Sequence, residues 1–141
     1  MPYTLRKEPP SVEDALFLKE EAGWVLTNPV STQKGFANSL FCVSVYDNEQ
    51  IVGMARVVGD GFTVFYLQDV IVRPPYQHQG IASRMLDVVM SYIAEHACPG
   101  AIVGLMSAPG KEGLYERYGF WRRPVGHHGH GMMQYWQMDY R

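Results

Sequence analysis

The sequence is most tightly constrained by a change of period around one glycine. Phe62 to Val72 (F-T-V-F-Y-L-Q-D-V-I-V) is the longest strand candidate, with apolar residues on both faces. Arg73-Pro74-Pro75 stops it, because proline has no N–H for a ladder. Beyond Gly80 the pattern changes. Ile81, Met85, Val88, Val89, Tyr92, Ile93 and His96 fall at spacings of four, three, one, three, one and three, which is one face of a helix. Cys98-Pro99-Gly100 ends that helix, and Ala101 to Leu105 reads as a short buried strand. A strand, a crossover helix and a second strand form a right-handed unit with the two strands parallel.

The remaining elements build around this unit. Tyr3 to Lys7 reads as an edge strand that stops before Pro9 and Pro10. Ser11 caps a helix from about Val12 to Glu21, and Ser31 caps a shorter one through Asn38. Leu40 to Tyr46, Ile51 to Val58 and Phe62 to Val72 form an antiparallel meander with the last strand central, turning at Asp47 to Gln50 and at Gly59-Asp60-Gly61. Lys111 to Tyr118 is a short helix closed by Gly119. Phe120 to Arg123 and Met132 to Met138 read as a closing antiparallel pair. The expected class is α/β, with a mixed, mostly antiparallel sheet. No linker or repeat interrupts residues 1–141, which read as a single domain.

Composition removes several function classes. The net charge is −2, from 12 Lys plus Arg against 14 Asp plus Glu. That balance provides no global field to draw the chain onto nucleic acid or anionic lipid. The two cysteines, Cys42 and Cys98, form no CxxC pair and read as buried apolar residues. The opening M-P-Y-T-L-R-K-E-P-P has no apolar signal core, and no apolar run is long enough to cross a bilayer. The expectation is a cytoplasmic protein with neither nucleic-acid nor membrane partners.

Chemistry concentrates in the loop before the long helix. A glycine loop entering a helix points unpaired amides and the positive end of the helix dipole at one spot, which suits a phosphate or diphosphate. Gly80 allows close backbone approach, and Ala82 is small. Neither the Walker A pattern nor G-x-G-x-x-G is present, so the diphosphate belongs to another carrier. The span D69-V-I-V-R-P-P-Y-Q-H-Q-G-I-A82 resembles motif A of the GNAT N-acetyltransferase superfamily, with Gln77, Gly80 and Ala82 in the three fixed positions. Downstream, L114-Y-E-R-Y-G-F120 resembles the end of that family's motif B. The resemblance covers roughly Leu40 to Arg123; the first forty residues match only in having two helices, which in this family form the variable acceptor side.

The resemblance implies a three-layer GNAT-like fold and acetyl-CoA as co-substrate. Val70, Ile71 and Val72 then offer backbone groups to the pantetheine arm and the thioester carbonyl. Gln77, His78, Gln79, Gly80, Ile81 and Ala82 cradle the diphosphate. Tyr115 matches the tyrosine that protonates the leaving thiolate in many relatives. Asp69 stands where some relatives carry an acid that deprotonates the amine, often through water. The alternative for Tyr115 is packing beside Leu114 and Tyr118; for Asp69 it is a strand carboxylate held by backbone or by an arginine. Gln77 replaces the commoner arginine and removes a charge from the cradle. Trp24 either lines an acceptor pocket or fastens the first helix, and Phe36 reads as packing. His127, His128 and His130 lie in a glycine-rich loop without other ligands, so no metal site is expected.

The implied reaction is direct attack by a primary amine, with a small-molecule acceptor expected. A homodimer through Tyr135, Trp136 and Tyr140 is expected by analogy with relatives. The alternative to an enzyme is a CoA-binding module without turnover.

Overall fold

The computed structural model describes residues 2–139, so Tyr140 lies outside the described residues. The chain divides into two units, with the boundary between Leu105 and Met106. The first contains β1 (Thr4–Arg6), α1 (Val12–Glu21), α2 (Pro29–Ala37), β2 (Phe41–Asp47), β3 (Gln50–Gly59), β4 (Val64–Val72), a 3₁₀ turn (Pro74–Tyr76), α3 (Ile81–His96) and β5 (Ile102–Leu105). The strands lie in the order β1-β2-β3-β4-β5. Every neighbouring pair is antiparallel except β4 and β5, which are parallel through α3.

Two faces of this sheet are covered, which makes three layers. Met54 and Ile71, opposite each other on β3 and β4, pack with Ala15 and Leu18 of α1 and Phe36 of α2. Gly53 points the other way, as alternation requires. A Cβ there would come 3.5 Å from Ile81 and 3.6 Å from Met85, so its absence lets α3 lie close on the sheet. Ile81, Met85, Leu86, Val89 and Ile93 form the buried face of α3; the expected face shares Ile81, Met85, Val89 and Ile93 but lacks Leu86, while Val88 and Tyr92 are half-buried and His96 is exposed. Trp24 packs against the α1 core cluster, which is the fastening alternative. Among the described residues no helix is long and apolar enough to cross a membrane.

Several local expectations need correction. β3, not β4, is the middle strand, and burial along β4 alternates. β5 is not buried: Ile102 is exposed and its other residues are only half-buried. The second helix starts earlier than Ser31. Asn28 is its cap, accepting from the Ser31 amide at 2.8 Å, and Pro29 occupies the first turn, where a missing N–H costs nothing. Cys42 is buried as expected, whereas Cys98 is exposed in the turn after α3.

The second unit contains α4 (Glu112–Glu116), after which Gly119 takes a φ of 90°. The expected strands at Phe120 to Arg123 and Met132 to Met138 do not form. The described residues there contain only an isolated bridge between Val125 and His128. Pro124 cannot donate to a ladder, and Gly126, Gly129 and Gly131 interrupt the chain. The segment M-M-Q-Y-W-Q-M lacks strict alternation, and Met132 and Trp136 are left 89% and 76% exposed.

The β3–β4 turn generates two predictions. Gly59 has a φ of 147°, and a Cβ there would stand 2.0 Å from the Val64 carbonyl oxygen. Gly59→Ala is expected to lower stability by about 2–4 kcal/mol, read as a fall in the urea midpoint. Asp60 accepts from the amides of Phe62, Thr63 and Val64 and from the Thr63 hydroxyl. These bonds hold its carboxyl far below the usual carboxylate range. A depressed value lends stability above the unfolded value, and that stability is lost as pH falls through the folded one. Asp60→Asn is therefore expected to melt below the parent at pH 7, with the difference narrowing below about pH 4. Thermal melts across that range check it.

Candidate active site

The site begins where β4 loses a neighbour. β5 pairs with β4 only from Val64 to Leu67, opposite Ile102 to Leu105. Past Leu67, residues 68–72 have strand pairing only on the β3 side among the described residues. That ladder also breaks step. Arg56 faces Gln68 and Met54 faces Ile71, so Ala55 stands against both Asp69 and Val70. The extra residue is a β-bulge, which frees a backbone group and turns the strand. Asp69 carries it with a φ of 59°, in a left-handed region where Asp and Asn are among the more tolerant side chains.

Asp69 is buried, and both its oxygens have protein partners. Its Oδ2 lies 3.3 Å from Lys19 Nζ and accepts from Arg56 Nε at 3.1 Å. Its Oδ1 accepts from Gln68 Nε2 at 3.2 Å. Lys19 comes from the last turn of α1, with its stem buried beside Leu18. Arg56 also donates to Ser39 Oγ at 3.3 Å. The sequence offered an arginine as one partner for this carboxylate and gave no sign of the lysine.

The loop after β4 is strapped in place from three directions. Arg73 makes a two-pronged pair with Glu21 of α1, at 2.9 and 3.0 Å, and lies over the rings of Phe17 and Tyr76. The Arg73 guanidinium holds the Glu21 carboxyl below its ordinary value. The Tyr76 hydroxyl donates to Asp47 at the end of β2, and Tyr3 beside β1 donates to Gln79 Oε1 at 2.7 Å. Gln77 Nε2 turns back onto the Val72 carbonyl at 3.0 Å. His78 and Gly80 have φ of 63° and 85°, and this pair of left-handed turns swings the backbone into α3.

Gly80 is the N-cap of α3 but provides no side-chain cap. Among the described residues no protein group accepts from the amides of Gly80, Ile81 and Ala82. A Cβ at Gly80 would meet nothing within 4 Å, so the glycine answers a need of φ, and the space above it is open. Free donors, a helix dipole and open space together fit a diphosphate.

Tyr115, in the second unit, is buried against Phe120 in an edge-on contact, with centroids 6.1 Å apart. Its hydroxyl has no protein partner among the described residues, and no buried side-chain oxygen there goes unpaired, so the hydroxyl reaches solvent. Burial pushes its phenol above the ordinary tyrosine value, which keeps it protonated at neutral pH. The His127, His128 and His130 loop is exposed. Among the described residues no group of three His, Cys, Asp or Glu side chains is placed to hold a metal ion.

β4 is bulged just past the end of its parallel pairing and leads, through a glycine loop, into a helix start with unclaimed amides, a place that can hold an anionic group. The model of the acetyltransferase (GNAT) family matches residues 6–120, and the chain belongs to that family. The family generally uses acetyl-CoA. No curated protein sequence matches the chain. Among solved structures, a Staphylococcus aureus protein of unknown function, described as a probable acetyltransferase, is 31% identical with a TM-score of 0.85. That match covers 94% of this chain and 99% of the other. A GNAT-family acetyltransferase from Streptococcus pneumoniae is 29% identical with a TM-score of 0.75, covering 96% and 99%. Glucosamine-6-phosphate N-acetyltransferase from Arabidopsis thaliana shares the fold at 12% identity, with a TM-score of 0.69 and coverage of 96% and 99%.

Proposed function

We propose that the protein transfers the acetyl group of acetyl-CoA to the primary amine of a small molecule, by direct attack with both substrates bound. The observation that carries this reading is the run from the bulge at Asp69 to the uncapped start of α3. On this reading its donors serve two parts of an acetyl-CoA molecule. The amides of Gly80, Ile81 and Ala82 hold the diphosphate, with the backbone of Gln77, His78 and Gln79 shaping the cradle. Val70, Ile71 and Val72, beyond the reach of β5, receive the pantetheine arm and polarise the thioester carbonyl.

The neutral amine attacks the thioester carbon, forming the C–N bond and an oxyanion. Collapse breaks the C–S bond, and the thiolate takes its proton from Tyr115, which solvent then reprotonates. The proton lost by the amine passes to water. A water path is assigned because both Asp69 oxygens already accept from protein donors. Much of the acceleration comes from placing two reactants together. The proposed setting is cytoplasmic.

Calorimetry with acetyl-CoA and with CoA is expected to give saturable heat; a flat titration of folded protein defeats the reading. Tyr115→Phe is expected to lower turnover about 10- to 100-fold with little change in acetyl-CoA binding. In the parent, the alkaline fall of activity is expected above the ordinary tyrosine range, because burial raises the phenol. Thiol-release assays against pH with a panel of amines check both points, and unchanged turnover in Tyr115→Phe removes the residue from the mechanism.

A further inference from the structure

We propose that the triad of buried Lys19 and Asp69 with half-buried Arg56 sets the geometry of the β4 bulge, with Asp69 acting as a positioning residue and not as the proton acceptor; its catalytic consequence rests on the acetyl-transfer reading above. Three observations converge on it. The first is conformational. Asp69 holds a φ of 59° within a strand, and such a residue keeps its place only when its surroundings over-determine it. The second is bonding. A base needs a lone pair free for the substrate or for a relay water. Oδ2 serves Lys19 and Arg56 and Oδ1 serves Gln68, and with the side chain only 1% exposed the acceptor site left on Oδ1 has little access to solvent.

The third observation is where the two cations come from. Arg56 stands on β3 opposite Gln68, at the edge of the register shift, and reaches Asp69 across the ladder. It also donates to Ser39, whose hydroxyl donates to the Gly35 carbonyl at 2.8 Å in α2. Lys19 comes from α1, and its side chain is 9% exposed. One carboxylate thus ties both helices over the sheet to the single residue that bends β4. Two cations against one anion also leave surplus positive charge beside Val70. That charge favours an oxyanion forming on a thioester carbonyl held against the adjacent strand backbone.

The primary variant is Lys19→Met. Asp69→Asn alone would leave buried Lys19 and half-buried Arg56 unbalanced and threaten the fold, whereas Lys19→Met leaves the Arg56–Asp69 pair intact. The expected result is a fall in kcat of about 10- to 100-fold, because a misplaced strand costs orientation. The acetyl-CoA KM is expected to stay within about twofold, and Lys19→Arg is expected to restore most of the loss. In the ligand-free protein, the amide NMR signals of Val70, Ile71 and Val72 are expected to shift in Lys19→Met and return in Lys19→Arg.

Unmoved amide signals in Lys19→Met overturn the proposal, whatever the activity. So does an unchanged kcat, or a kcat retained with only the acid limb of the pH–rate profile displaced, which would mark Asp69 as the base. If the parent itself neither binds acetyl-CoA nor releases thiol, the acetyl-transfer reading fails instead, while the amide signals still decide whether the triad holds the bulge.

Discussion

The end of β4–β5 pairing at Leu67 is the constraint on which the site depends. A strand inside a sheet has its amides and carbonyls taken on both sides. A strand that leaves its neighbour must satisfy those groups some other way or leave them for a ligand. Here the chain does some of each. The Val72 carbonyl is taken by the Gln77 side chain, and the Arg73 amide donates to the Val52 carbonyl on β3. Among the described residues, the remaining edge from Gln68 to Val72 has no strand partner on the β5 side. Polar backbone at the rim of an otherwise apolar sheet is a place where a substrate with its own amides and carbonyls can complete the pairing.

The bulge and the loop are held by different kinds of force. Around Asp69 the carboxylate and Lys19 are buried and Arg56 half-buried, so the pairing is strong locally and its desolvation cost is large. Such a cluster contributes more to fixing one geometry than to net stability. Around the loop the pairs are nearer to water. Arg73 and Glu21 form a partly exposed pair of the sort that contributes about 0–1 kcal/mol. Its value lies in its shape: a flat guanidinium held edge-on by a carboxylate and packed over Phe17 and Tyr76 leaves the loop few alternative orientations. Both fastenings start from α1, so that helix controls strand and loop together.

The elements legible in the sequence were those fixed by neighbours a few residues apart. The Ser11 cap, the α3 face and the Gly59-Asp60-Gly61 reversal all came from local pattern, and the structure has them. The loop into α3 was legible for the same reason, since Gln77 to Gly80 leads directly into the helix that starts at Ile81. The triad was not. Lys19, Arg56 and Asp69 lie on three elements far apart in sequence, and a lysine in an amphipathic helix reads as surface until the helix is docked. The closing strand pair failed on the opposite error. A run rich in Met, Tyr and Trp has strand composition, but composition without alternation does not specify a face. Asn28 was passed over as a cap because Ser31 suited the same role three residues later.

Gln77 shows how one substitution within the motif redistributes work. The usual arginine would bring a positive charge to the diphosphate. The glutamine brings none, and its amide is spent on Val72 instead. The two arginines nearest in sequence do not replace it, since Arg73 is bound to Glu21 and Arg84 donates to the Tyr3 carbonyl. On the acetyl-transfer reading, the grip on the diphosphate then falls to backbone amides and the dipole of a sixteen-residue helix. Donors of that sort are short-ranged and directional. They hold an anion only if the loop already has its bound shape, which gives the fastening of the loop by Tyr3, Tyr76, Arg73 and Gln77 its purpose. The loop has exchanged a mobile charge for a rigid frame.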